Sequence, residues 1–235
     1  TAVLNADNER LMATAAKVWQ GTTLTYGLEG GDVRGTLMDA NTLQVGSTTF
    51  ELPLPGRHNA QNFLAALAVA KALGIDWGSL TQGLQVELPA GRARRYALPN
   101  DVVILDETYN AGLESMVAAL RLLADLPGTR RIAVLGTMKE LGERSPEFHH
   151  QVGIAVRELG IDHLLVLADP AEEAALMKGA APISAAAFAD QASLTNHLLE
   201  LVQPGDRLLF KASRAVALDR VVAEVMQQLS PTATD

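Results

Sequence analysis

The sequence predicts an α/β protein, and three observations predict it. From about residue 98 onward, short apolar runs alternate with amphipathic stretches of helical length. From 23 to 53 the chain is β-rich, with turn signals at Gly30-Gly31, Asp39-Ala40-Asn41 and Gly46-Ser47. Between these regions Pro89-Ala90-Gly91-Arg92-Ala93-Arg94-Arg95 breaks helix and gathers three arginines, which reads as a connector. The expected division is therefore 1–97 and 98–235.

In the first region Ala2-Val3-Leu4-Asn5 reads as a strand, followed by a helix near 7–18. The β-rich stretch then reads as a hairpin meander, because each apolar run ends in a turn signal. Helices are expected from about His58 to Leu73 and from about Trp77 to Gln85. In the second region strands are expected at Val102–Leu105, Ile132–Leu135, Leu164–Leu167, Ala185–Phe188 and Leu208–Phe210. The intervening helices fall at 113–125, 146–159, 170–178, 190–202 and 215–229. Strands joined by crossover helices form a mainly parallel sheet, so this region should be a three-layer, Rossmann-like domain. Ligands in such sheets sit beyond the carboxyl ends of the strands.

Composition narrows the classes. A net charge of -8 argues against a nucleic-acid partner but leaves room for an anionic substrate at a local basic site. With no cysteine, disulfides and cysteine-zinc sites are excluded. No apolar run reaches the roughly 18 residues of a membrane span, and no signal peptide is visible, so a cytoplasmic protein without membrane insertion is expected. The opening strand, with no Met and no element before it, reads as the start of a fragment.

Four groups of residues bear on chemistry. His58-Asn59-Ala60-Gln61-Asn62 opens a helix, with Asn59 and Asn62 on one face. Carboxamides suit the edge of an adenine, but Asn is also a favoured helix cap. Asp106 closes the run Val-Val-Ile-Leu, where a carboxylate either takes ribose hydroxyls or serves the loop; Tyr109 and Asn110 follow in the same crevice. Lys211-Ala212-Ser213-Arg214 places two cations and a hydroxyl at the expected head of the last helix, as a carboxylate or phosphate site or as a solvated pair. Arg92, Arg94 and Arg95 read on their own as solvated. His149 and His150 are adjacent on a helix and point apart, so no metal site is expected and they read as surface or cap histidines. No GxxxxGK[ST] phosphate loop is present.

Taken in order, these motifs resemble the Mur ligase family. Leu4-Asn5-Ala6-Asp7-Asn8 and Gly56-Arg57-His58-Asn59-Ala60-Gln61-Asn62 are similar to segments of its central ATPase domain, and Gly91-Arg92 to the link that follows. Asp106-Glu107-Thr108-Tyr109-Asn110-Ala111, Val134–Gly142 and Lys211-Ala212-Ser213-Arg214 are similar to its C-terminal domain, in the branch that adds a dipeptide. Gly112, Thr137 and Ala212 stand where that branch usually has Asn, Asp and Gly. The resemblance implies that 1–97 is the second part of a central ATP-binding domain and 98–235 the C-terminal Rossmann-like domain. It also implies that the UDP-binding domain, the phosphate loop and most Mg2+ ligands lie in a preceding part. The implied activity is ATP-dependent amide formation between UDP-N-acetylmuramoyl-tripeptide and D-alanyl-D-alanine, by a monomer.

The same resemblance assigns roles. His58, Asn59 and Asn62 would hold the adenine of ATP and Asp106 its ribose. Arg92 and Lys211 would act at the reacting groups. Tyr109, Asn110, Ser213 and Arg214 would line the substrate side of the cleft. A chain without the phosphate loop is expected to have no ligase activity alone. The competing readings are another ligase of the superfamily, such as a folylpolyglutamate type, and a non-catalytic nucleotide- or peptide-binding module.

Overall fold

A computed structural model describes residues 1–84, 86 and 90–230. The chain divides into two compact units, Thr1–Glu87 and Leu88–Asp235.

The first unit is a five-stranded sheet in the order β1-β2-β3-β4-β5 with two helices. Its elements are β1 (Ala2–Asn5), α1 (Glu9–Val18), β2 (Thr23–Gly27), β3 (Val33–Leu37), β4 (Thr42–Val45), β5 (Thr48–Glu51) and α2 (Arg57–Ala72). Strands β3 to β5 form the expected meander, but β2 and β3 run parallel, with Tyr26 opposite Val33. The glycine pair at 30–31 therefore lies in a connection between parallel strands. Helix α2 seals the sheet: Phe63, Leu64 and Leu67 pack on Leu43, Val45 and Phe50. Where a helix was expected from 77 to 85, a short 3-10 turn spans Gly78–Gln82; Gln85 lies outside the described residues.

The second unit is a six-stranded sheet in the order β10-β9-β8-β11-β7-β6. Strands β7 (Val102–Glu107), β8 (Arg131–Gly136), β9 (His163–Leu167), β10 (Ser184–Ala187) and β11 (Arg207–Lys211) are all parallel. Strand β6 (Arg94–Leu98) closes one edge antiparallel to β7, in the segment expected to be a connector; Pro89 of that segment lies outside the described residues. An edge strand needs only one apolar face, and Arg94 and Arg95 mask it in the sequence. Helices α3 (Leu113–Asp125), α4 (Ser145–Glu158) and α5 (Pro170–Ala180) cover one face with Leu105, Ala133, Leu135, Leu164 and Leu209. Helices α6 (Gln191–Leu201) and α7 (Leu218–Leu229) cover the other with Ile104, Ile132, Val134, Leu208 and Phe210. Strands buried on both faces read as continuous apolar runs, which is why they were visible in the sequence. Helix α7 starts three residues later than expected, after a 3-10 turn at Arg214–Val216 and the left-handed Ala217. No helix among the described residues is long and apolar enough to cross a membrane.

Candidate functional site

Parallel strands bring Glu107, Gly136, Leu167, Ala187 and Lys211 to one edge of the second unit, with the chemically interesting loops just beyond. Lys211 ends β11 and is only 4% exposed. Its Nζ donates to the Asn110 carbonyl at 2.9 Å and lies 3.8 Å from Glu107 Oε2. Burial pushes the Lys211 ammonium down, with Glu107 opposing and Arg92 adding to the drop. Burial likewise pushes the Glu107 carboxyl up, with Lys211 opposing. Lys211 is thus an internal cation that holds the Asn110 loop, where the sequence suggested a charge at a helix start.

The loop after β7 is built around this cation. Gly91, at φ 74°, packs so close to Thr108 that a Cβ would sit 2.7 Å from its Oγ1. Its carbonyl accepts from Tyr109 N. That turn delivers Arg92, which is exposed and stacks 4.1 Å above the Tyr109 ring. Asn110 turns its own Oδ1 back to Ala111 N, so its main chain, and not its carboxamide, meets Lys211.

Asp106 is 4% exposed, and its Oδ1 accepts from Thr108 N and Thr108 Oγ1, so it braces the loop after β7 in this structure. Glu107 presents the carboxylate at this strand end, 18% exposed beside Lys211, and the sequence reading passed over it. Strand alternation was the available signal: Glu107 lies two residues after Leu105, on the face opposite Asp106.

Ser213 and Arg214 also separate. Ser213 is buried, donates its N–H to Thr137 O, and accepts from Lys139 N at 2.9 Å through Oγ. It ties the loop after β8 to the loop after β11. Arg214 is exposed and pairs with Asp219 at 3.2 Å, turned toward the start of α7.

A cleft of about 530 Å³ opens at the ends of β8 to β11, within the range of roughly 300–1,000 Å³ typical of small-molecule sites. Thr137, Lys139, Asp169, Gln191 and Val216 are among its walls. Thr137 Oγ1 accepts from Asp169 N, and Lys139 Nζ donates to Asp169 Oδ2 at 2.5 Å. The Lys139 ammonium holds the Asp169 carboxyl below the usual carboxylate range. Both side chains remain about half exposed at the mouth, 44% and 52%. The sequence marks the Val134–Gly142 segment but assigns Lys139 no role, because a single lysine in a loop carries no pattern of its own.

His149 corrects a further expectation. It is neither a surface nor a capping residue but is fully buried, accepting from Met138 N at 2.8 Å.

In the first unit, the side chain at the cap of α2 is absent: Gly56 holds that position at φ 99°. Asn59 donates Nδ2 to Pro55 O, which leaves its Oδ1 as an acceptor. Asn62 is exposed one turn on, on the same face, and His58 is half-buried beside them. Gln61, inside the same motif, donates to Asp7 Oδ2. Asp7 also accepts from Leu28 N and Glu29 N. Burial works against its charge, yet these donors hold its carboxyl below the usual range. Neither Asn59 nor Asn62 holds the N-cap position of α2. Among the described residues no trio of His, Asp or Glu could hold a metal ion.

Comparison with known proteins adds the family. Residues 1–70 match the Mur ligase middle domain, and residues 91–214 match the Mur ligase, glutamate ligase domain. A UDP-N-acetylmuramoyl-tripeptide--D-alanyl-D-alanine ligase of Synechocystis is 54% identical over 99% of this chain and 51% of its own length. The ligase of that name from Escherichia coli is 33% identical over 96% of this chain and 52% of its own. Among solved structures, MurF from Acinetobacter baumannii superposes with a TM-score of 0.84 at 30% identity, over 96% of this chain and 51% of that one. MurF from Thermotoga maritima in complex with ADP gives 0.77 at 28% identity, over 97% and 54%. The chain spans about half the length of the relatives it matches. Two family domains in the order the fold displays, and relatives matched across nearly every residue, place this chain in the Mur ligase family.

Proposed function

We propose that this chain supplies nucleotide- and acceptor-binding parts of an ATP-dependent ligase that joins D-alanyl-D-alanine to UDP-N-acetylmuramoyl-tripeptide in the cytoplasm, as a monomer, for peptidoglycan precursor synthesis. The observation that carries it is the cleft at the strand ends, lined by Lys139 with Asp169 and Asp190, in a chain whose relatives bear that ligase name. Transfer of the ATP γ-phosphoryl group to the tripeptide carboxylate gives an acyl phosphate and ADP. The dipeptide amine then attacks the acyl carbon, the C–O bond to phosphate breaks, and the amine loses a proton as the amide forms. The chain's own residues bind and orient. Asn59 and Asn62 hold the adenine, with His58 beside them, and Arg92 on Tyr109 meets the phosphate region. Lys211 holds the Asn110 loop, and Ser213 holds the loop that carries Lys139. The dipeptide carboxylate needs a counter-charge once the crevice dries. Lys139 supplies it more readily than Lys211: its ammonium, though paired with Asp169, stands half exposed at the cleft mouth, whereas that of Lys211 is buried against Asn110 and Glu107.

The test uses a ligase of full family length that carries this chain. Phosphate release should require ATP, the tripeptide precursor and D-alanyl-D-alanine together. Lys139→Ala should raise the dipeptide KM by about tenfold, the worth of a hydrogen bond to a charged group, with the ATP KM within about twofold. Release that proceeds equally well without the dipeptide would sink the reading. An unchanged dipeptide KM would move the carboxylate away from Lys139.

A further inference from the structure

His149 is a buried imidazole that the reaction above does not use. It lies on the first turns of α4, fully buried. Its Nε2 accepts from Met138 N at 2.8 Å and its Nδ1 meets Ser145 O at 2.7 Å. A backbone N–H can only donate and a carbonyl can only accept. Nε2 must therefore carry the lone pair and Nδ1 the proton, so two obligate partners select one neutral tautomer.

The loop that this ring reaches forms a wall of the cleft. Three successive residues of it are anchored: Thr137 O accepts from Ser213 N, Met138 N donates to His149, and Lys139 N donates to Ser213 Oγ. Two side chains, His149 and Ser213, thus set the backbone from which Lys139 projects. The loop then passes through left-handed Glu140, a conformation that a non-glycine residue rarely adopts on local preference alone.

We propose that His149 is the positioning residue for Lys139 and that its protonation unlatches the loop. This rests on the reading of the cleft as the dipeptide site. A second proton on Nε2 would face the Met138 N–H, two donors in a dry pocket, and that bond must break. The charges bearing on the ring come from Lys139 in the loop and from Asp169 and Glu172 at the start of α5. Burial is the largest influence and pushes the imidazole below its ordinary value, so the latch holds at neutral pH and opens on the acid side.

The experiment uses the full-length ligase carrying this chain, with His149→Leu and His149→Gln. Leucine removes the acceptor, whereas the glutamine amide oxygen can replace Nε2. The leucine enzyme should show a dipeptide KM raised about tenfold with the ATP KM within about twofold, and glutamine should restore most of the loss. The wild-type dipeptide KM should climb as pH falls, and that acid limb should vanish in the glutamine enzyme, which has nothing to protonate there. Nitrogen NMR of the ring in the wild type should show the proton on Nδ1 at neutral pH. A leucine enzyme with an unchanged dipeptide KM, an acid limb that survives in the glutamine enzyme, or a proton on Nε2 overturns the proposal. If the leucine enzyme does not fold, the glutamine enzyme and the ring spectrum still decide. A wild-type enzyme that ignores the dipeptide, with the Nδ1–H tautomer present, would defeat the proposed function and leave the latch standing.

Discussion

Gly153→Ala is expected to destabilise the second unit by about 3 kcal/mol, the upper end of what overpacking a core costs. Helices α4 and α5 meet backbone to backbone. A Cβ on Gly153 would sit 2.3 Å from Leu176 O and 2.9 Å from Ala180 N. A Cβ on Gly179 would sit 2.3 Å from His150 O. These are main-chain atoms, so no rotamer change relieves the clash and one helix must lift off the other. Dispersion and burial along Val152, Val156, Leu176 and Ala180 are lost together when it does. The crevice would feel it as well, because α4 carries His149 and α5 begins beside Asp169. Urea unfolding monitored by circular dichroism measures the loss. Gly112→Ala is the control: its backbone is extended and no atom lies within 4 Å of the added carbon, so its cost should not exceed that of a weaker N-cap on α3, about 1 kcal/mol. A Gly153→Ala cost below about 1 kcal/mol would mean that the two helices separate without penalty.

The second unit was legible because its physics is periodic. Val102–Leu105 and Leu208–Phe210 are apolar on both faces, and a strand covered on both sides by helices must read that way. The order of the polar strand ends also followed from the sequence, since parallel strands deliver their carboxyl ends to one edge. What stayed hidden depends on pairing between distant residues. Strand β6 looks like a charged connector until its partner β7 is known. The turn residues between β2 and β3 suit a hairpin, yet those strands pair in parallel. Individual charges were the hardest. Lys211 reads as exposed because lysine rarely is otherwise, but its neighbours Asn110 and Glu107 lie about a hundred positions away in the chain. His149 and Lys139 look unrelated until the Met138 hydrogen bond joins their elements.

Lys211→Met should cost about 2 kcal/mol near neutral pH, and the cost should depend on pH in a defined direction. The methionine keeps the apolar stem but strands the Asn110 carbonyl and the half-buried Glu107 carboxylate. The Glu107 carboxyl already titrates above its ordinary value of 4.5, since burial disfavours its charge and Lys211 only partly offsets this. A carboxyl with a raised folded pKa favours the folded state while protonated, and that advantage is lost as pH rises through the folded value. Removing Lys211 raises the folded pKa further. The gap between wild type and variant should therefore be small below 4.5, widen as pH rises from there, and level off once Glu107 is ionised in the variant. The lowered pKa of Lys211 itself acts on the alkaline side, as pH falls from 10.5, so comparison between about pH 4 and 7 isolates the carboxyl. Arg214→Ala supplies the contrast. Its pair with Asp219 is solvent-exposed, and such pairs contribute about 0–1 kcal/mol, so its effect should be slight at any pH. Urea midpoints at several pH values settle the matter. A Lys211→Met penalty that is flat across this range would show that Glu107 does not answer to Lys211, and the cation would then act on the Asn110 loop alone.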